Sequence, residues 1–214
     1  MSFCNVFGIR ANDKEMVISQ AIREYFTKDL TYYKIPEGVT DLRSYCFYNF
    51  WPEGGIKVIL PKSLKRIAPY AFSECAISEI VIPSGVEEIC DYAFFGAPLK
   101  KLTIEEGVKR IGVGAFKWGP NIPYLSIPDS VEYIGENAFD GMLVPGGAVI
   151  EVGAGVKFIG DGAFACDIKS LVVHKNYGDI PDGSSGYFRE DGEWVDPTWF
   201  AGYDNPIAIW DGDW

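Results

Sequence analysis

Short bursts of alternating apolar and polar residues recur along the chain at a nearly fixed interval. Each burst places apolar residues three and one positions before a reference residue, which is usually proline. Apolar residues follow three and six positions after it, and a small residue and phenylalanine stand at plus ten and plus eleven. The reference residues are Pro36, Pro61, Pro83, Glu105, Pro128 and Gly153, which lie 22 to 25 residues apart. At plus three stand Val39, Leu64, Val86, Val108, Val131 and Val156, and at plus six Leu42, Ile67, Ile89, Ile111, Ile134 and Ile159. At plus eleven stand Phe47, Phe72, Phe94, Phe116, Phe139 and Phe164, preceded by Cys46 and then by alanine in every later copy. A fixed period of this length is the sequence signature of stacked repeats.

The internal pattern of one copy predicts its path. Tyr33 and Ile35, Val58 and Leu60, Ile80 and Ile82, Leu102 and Ile104, Leu125 and Ile127, and Ile150 and Val152 alternate at period two, which predicts a strand with one buried face. Successive copies then stack these strands in parallel, with the rest of each repeat as the crossover. Proline at the strand end stops the ladder without removing a central hydrogen bond. The Val-x-x-Ile stretch is too short for a helix and predicts an extended segment returning on the other side. The Ala-Phe pair turns inward, so its rings stack into a ladder through the core. A seventh copy starts at Leu171-Val-Val-His174 and lacks its Ala-Phe. Length variation falls between the phenylalanine and the next strand, most of all in Tyr48–Gly55 and Asp140–Gly147, so insertions emerge on one rim.

The ends break the period and divide the chain into three parts: a cap over 1–32, a solenoid over 33–174 and a second cap over 175–214. Asn12 or Asp13 is placed to cap a helix, with Lys14 and Glu15 in its first turn. Ile18, Ala21, Ile22, Tyr25 and Phe26 share one face of that helix, which predicts an amphipathic lid over the raw end of the solenoid. After residue 175 Gly, Asp, Pro and Ser rise, and Trp194, Trp199, Phe200, Tyr203, Trp210 and Trp214 crowd together. Aromatic-rich sequence of this kind predicts an irregular cap and not a disordered tail.

The stretches Ile77-Ser-Glu-Ile-Val-Ile-Pro83 through Ala93-Phe94 and Leu125-Ser-Ile-Pro128 through Gly135-Glu-Asn-Ala-Phe139 resemble the BspA-like, or Treponema-type, leucine-rich repeats. The pattern of that family runs L-x-x-I-x-I-P-x-x-V-x-x-I-G-x-x-A-F. The resemblance covers about residues 33–174. It departs at Glu105 and Gly153, which replace proline, and at Arg43, Ala68 and Cys90, which replace glycine. It implies a β-rich leucine-rich-repeat solenoid, with a parallel sheet on one face and short extended or helical turns on the other. Members of that family are commonly surface proteins of bacteria or microbial parasites implicated in adhesion, so the resemblance also implies a binding role.

Charge and chemistry narrow this picture. The net charge of −11 argues against nucleic acid or an anionic membrane as the main partner, and no Lys/Arg cluster reverses it locally. No apolar run approaches the length of a membrane span. The N-terminal residues lack a basic segment followed by an apolar run, so no export signal is expected. That suits a soluble cytoplasmic or assembly-associated protein; a cell-surface location would require a leader outside this stretch. The five cysteines form no CxxC pair and no metal spacing. Cys46, Cys75, Cys90 and Cys166 fit small packing sites. His174, the single histidine, follows a strand with no oriented partner nearby, and Glu87/Glu88 and Glu105/Glu106 fall on solvated positions. The acidic stretches Asp179–Asp182, Glu190–Glu193 and Asp211–Asp213 match no calcium loop and read as turns. No catalytic residue, metal or cofactor is expected.

The strand pattern itself supplies the candidate binding surface. Lys57, Ile59, Glu79, Val81, Lys101, Thr103, Tyr124, Ser126, Glu151 and Val172 point away from the core and tile the exposed face of the sheet. Apolar Ile59, Val81 and Val172 rimmed by Lys and Glu suit a protein partner, although β-branched residues also favour strands for their own sake. The expected function is therefore non-enzymatic recognition of a protein through the sheet face and one loop rim. Two further classes fit the same chain: a glycan-binding module using the C-terminal aromatics, and a structural subunit of a phage or envelope assembly joined through a sheet edge or a cap.

Overall fold

The structure, a computed structural model, describes residues 32–173 together with the two-residue strands Glu15–Met16, Tyr187–Phe188 and Trp194–Val195. The described residues form a repeating coil in which each turn contributes a strand to each of two parallel layers. The first sheet holds β2 (Tyr32–Lys34), β4 (Lys57–Ile59), β6 (Glu79–Ile82), β8 (Lys101–Ile104), β10 (Tyr124–Ile127), β12 (Ala148–Val152) and β14 (Ile168–Val173). The second is made of two-residue strands: β1 (Glu15–Met16), β3 (Asp41–Leu42), β5 (Arg66–Ile67), β7 (Glu88–Ile89), β9 (Arg110–Ile111), β11 (Tyr133–Ile134) and β13 (Phe158–Ile159). All seven of these pair in parallel in one unbroken ladder.

The first sheet is not continuous. β2 pairs with β4, β6 with β8, and β10 with β12 and β14, all in parallel. Between β4 and β6 the backbone contact shrinks to the isolated bridge Ile56–Ile77. Pairing registers keep the repeat in phase, with Glu79 opposite Lys101 and Val81 opposite Thr103.

The core follows the sequence period. Every residue at plus three, plus six and plus eleven is buried, as are Ile35, Leu60, Ile82, Ile104, Ile127 and Val152 at minus one. Phe47, Phe72, Phe94, Phe116, Phe139 and Phe164 stack face to face, with centroids 4.7–5.5 Å apart and planes within 9° of parallel. The residue before each ring, Cys46 and then alanine, is buried as well. Coil-to-coil hydrogen bonds of 2.6–2.7 Å run from each phenylalanine amide to the carbonyl of the next coil's alanine, from Phe47 to Ala71 through Phe139 to Ala163.

A third wall joins the two sheets and consists of linked tight turns. The amide at plus ten bonds the carbonyl at plus seven, as in Ala71 to Ala68, Ala93 to Cys90 and Ala138 to Gly135, at 3.2 Å each. The third residue of each such turn has positive φ: Tyr45, Tyr70, Tyr92, Gly114, Asn137 and Gly162. Positive φ recurs two residues after the phenylalanine, at Asn49, Glu74, Gly96, Trp118 and Gly141. A third turn residue with positive φ normally calls for glycine or asparagine.

The expected N-terminal helix is a correction. Glu15, placed in its first turn, belongs with Met16 to strand β1, which pairs with Asp41 and Leu42. Without that pairing the edge of the second sheet would leave backbone groups of β3 unpaired, and satisfying them outweighs the local helical pattern. The rest of 1–31 lies outside the described residues, as does the cap over 175–214 apart from the antiparallel pair β15 (Tyr187–Phe188) and β16 (Trp194–Val195).

Candidate functional site

The strand period sets the outward face of the first sheet. In β6, β8 and β10 burial alternates with exposure, so Ile80, Ile82, Leu102, Ile104, Leu125 and Ile127 go inward. None of the ten candidate residues on this sheet is buried. Six of them, Lys57, Ile59, Glu79, Val81, Lys101 and Thr103, come together around one groove of about 420 Å3, whose lining also includes Lys62, Pro83 and Glu105. The groove straddles the break between β4 and β6. Its floor is the row Ile59, Val81, Thr103, in which Val81 is 49% exposed.

Charge rims the groove on both sides. Lys57 Nζ donates to Glu79 Oε1 at 2.6 Å, and this hydrogen bond holds the Glu79 carboxyl below the ordinary carboxylate range. Glu105 accepts a hydrogen bond from the Ser84 amide at 2.9 Å. Lys101 stands opposite Glu79 in the ladder and adds to the lowering of its carboxyl, and Lys62 forms no ion pair among the described residues. Both rim acids are thus engaged while Lys62 is available. The other four candidates lie apart from the groove on β10, β12 and β14, where Ser126, Glu151 and Val172 share one register row. There Tyr124 donates to Glu151 at 2.6 Å, which raises the phenol pKa.

The second sheet presents a different surface. Arg66 and Arg110 both reach Glu88, at 3.0 and 3.5 Å, Lys65 pairs with Glu87 at 3.3 Å, and Glu132 lies between Lys109 and Lys157. Arg110 also covers the Tyr133 ring at 4.0 Å, and Tyr133 stacks on Phe158. This face neutralises itself from coil to coil. Glu87 is thus engaged by Lys65 and Glu88 by Arg66 and Arg110, and Glu106 accepts from the amides of Asp129 and Ser130.

Two features were missed in the sequence. One is the division of the first sheet between β4 and β6 and again between β8 and β10, which has no signal in the repeat itself. The other lies on the turn wall. Tyr45, Tyr70 and Tyr92 stack at 5.0 and 5.1 Å, Tyr48 meets Tyr45 edge-on, Phe95 meets Tyr92 edge-on, and Trp118 leans on Phe95. Tyrosine two places before the phenylalanine in three consecutive copies was the available clue. The insertion rim carries the exposed Trp51 and Leu143.

Cys46, Cys75 and Cys90 are buried, and burial pushes the Cys90 thiol up to about 12. A thiol so protonated is a poor nucleophile. Native protein at pH 8 is therefore expected to leave Cys90 unalkylated by iodoacetamide over a time in which denatured protein is fully labelled, as read by peptide mass spectrometry. Rapid native labelling would contradict the buried assignment. No group of His, Cys, Asp or Glu among the described residues could hold a metal ion. No helix among them is long and apolar enough to cross a membrane. His174, the three acidic stretches after it and the C-terminal tryptophans lie outside the described residues.

A crystal structure of a leucine-rich repeat protein from Bacteroides ovatus is similar to the chain at 22% identity and a TM-score of 0.41, covering 68% of this chain and 50% of that one. The chain thus matches about half the length of that protein. No curated protein matches it. The family model for the BspA type leucine rich repeat region matches residues 55–169 in six copies. Repeats of this family are typically non-enzymatic scaffolds that commonly mediate protein–protein interaction. With the strand, turn and phenylalanine ladders in place and more than half of its length matched, the chain belongs to the BspA-type leucine-rich-repeat family.

Proposed function

We propose that this solenoid is a non-enzymatic recognition module that takes a protein partner on the outward face of its first sheet, centred on the groove over β4, β6 and β8. The observation that carries this reading is the contrast between the two sheets. The second closes its charges into coil-to-coil pairs, whereas the first leaves an apolar floor exposed, with Lys62 available beside it. An apolar strip with a polar rim is the usual anatomy of a contact surface. Lys62 favours a partner segment that brings a carboxylate to the rim and an apolar side chain to Val81. Adhesion to a protein of another cell, which the family resemblance implies, is one setting for such a contact.

The test is affinity capture with the wild type beside the double variant Val81→Arg/Thr103→Glu. Both positions are exposed, so the melting temperature should stay within about 2 °C of wild type, as befits surface changes of about 0.5 kcal/mol. The partner is expected to be lost by this variant and kept by Lys65→Glu/Lys157→Glu on the second sheet. A partner retained by the groove variant would move the contact off this face.

A further inference from the structure

We propose that the groove over β4, β6 and β8 is held, until a partner displaces it, by the chain's own segment Ile207–Asp213. This occupancy rests on the groove being a contact surface, as proposed for recognition, and adds what competes for it. Charge sets the first condition. Residues 190–214 carry seven Asp and Glu and no Lys or Arg, which is −7 of the net −11. The groove is locally the opposite, with Lys57, Lys62 and Lys101 against Glu79 and Glu105, and both of these acids are already engaged. A segment with carboxylates and no cation of its own meets at Lys62 an amine that forms no ion pair among the described residues.

Pattern sets the second condition. At period two, Ile207, Ile209, Asp211 and Asp213 fall on one side of an extended segment. Two apolar residues followed by two carboxylates is also the order in which the groove can receive them. Ile59 and Val81 form its floor, and Lys62 stands three residues past Ile59, beyond the end of β4. Three residues of extended chain cover about 10 Å, and same-side neighbours in such a segment lie about 7 Å apart. With Ile209 on the floor beside Ile59, Asp211 and Asp213 therefore fall about 7 and about 13 Å beyond it, on either side of Lys62. Reach sets the third condition. β16 ends at Val195, twelve residues before Ile207, and twelve residues span up to about 40 Å. Its partner β15 lies beside β13, three steps of 5.0–5.5 Å along the phenylalanine ladder from the coil of β6. One charge pair and two apolar contacts bind weakly between separate molecules. A tethered segment acts at an effective concentration of about 1 mM, for which weak contacts suffice.

The experiment treats the full chain with a water-soluble carbodiimide, which joins carboxylates to amines in contact, and reads the isopeptide links by peptide mass spectrometry. Mixing unlabelled and nitrogen-15-labelled chain separates links within a chain from links between copies. Links from Lys62 to Asp211 or Asp213 are expected, each within a single isotopic species. Ile209→Ser and Val81→Arg/Thr103→Glu should each lower their yield several-fold, with the melting temperature unchanged. Lys62 should also be acetylated by an N-hydroxysuccinimide ester several-fold faster in Asp211→Asn/Asp213→Asn than in the wild type. No link from Lys62 to the segment, links that mix the two isotopic species, or a yield indifferent to Ile209→Ser would each overturn the proposal. A partner lost by the groove variant, with Lys62 unlinked to the segment, overturns this occupancy and leaves recognition by the groove standing. The link found without any captured partner supports the occupancy and counts against recognition alone.

Discussion

Phe116→Ala is expected to destabilise the solenoid by about 3–5 kcal/mol, the usual cost of truncating a buried phenylalanine. Phe116 is fully buried and stacked between Phe94 and Phe139, 5.0 Å from each and within 6° of parallel. Its truncation removes two ring contacts and leaves a hole that the flanking coils have little freedom to fill. Both neighbouring rings are themselves fixed by coil-to-coil amide bonds, Phe94 to Ala115 and Phe139 to Ala163, each 2.7 Å. For a chain of this length each kcal/mol moves the melting temperature by roughly 2–4 °C, so a drop of about 6–20 °C should appear by calorimetry. A melting temperature unmoved within a degree would sink the stacked-core description.

A solenoid is stabilised by nearest-neighbour interfaces, so an interior coil serves two of them. Phe116→Leu is expected to cost less than Phe116→Ala because the aliphatic group refills most of the volume at both interfaces.

Most of this core was legible in the sequence because the same residues answer to two constraints at once. Val108 or Ile111 must be apolar to face inward and must also match its neighbours in the coils on either side, so the period writes the constraint six times over. The outward row Lys57, Glu79, Lys101 was legible for the complementary reason: strand alternation fixes side even where it does not fix composition. The start expected for the N-terminal helix is overturned at Glu15 because its pattern is local, whereas the backbone edge of Asp41–Leu42 that Glu15–Met16 pairs with is created only by folding. The groove was half visible. Its residues could be assigned to the surface, but the break between β4 and β6 that opens it leaves the apolar period untouched. The tyrosine stack stayed hidden because tyrosine at a glycine-favouring turn position contradicts the rule by which such turns are recognised.

Gly107→Ala is the second large effect expected, and its cause is a close approach of backbones. Gly107 has φ +134, a conformation costing a side chain about 1–3 kcal/mol. An added Cβ would also stand 2.1 Å from the Ser84 carbonyl oxygen, a backbone atom of the preceding coil. Relieving that overlap means parting two coils, at about 1–3 kcal/mol more. The site is tied on its other side as well, since the Gly107 amide donates to Ser130 Oγ at 2.8 Å and Ser130 Oγ donates to the Val108 carbonyl at 2.9 Å. Gly38 separates the two costs. It has φ +95 and the same pair of bonds, to Ser63 Oγ and from Ser63 Oγ to the Val39 carbonyl, yet an added Cβ there meets nothing within 4 Å. Gly38→Ala should thus lose only the conformational part, and Gly107→Ala should unfold at a lower urea concentration by the steric remainder. Equal midpoints for the two variants would mean that the coils part freely at this corner, and that turn conformation alone, with no limit from backbone spacing, decides which positions along the solenoid must be glycine.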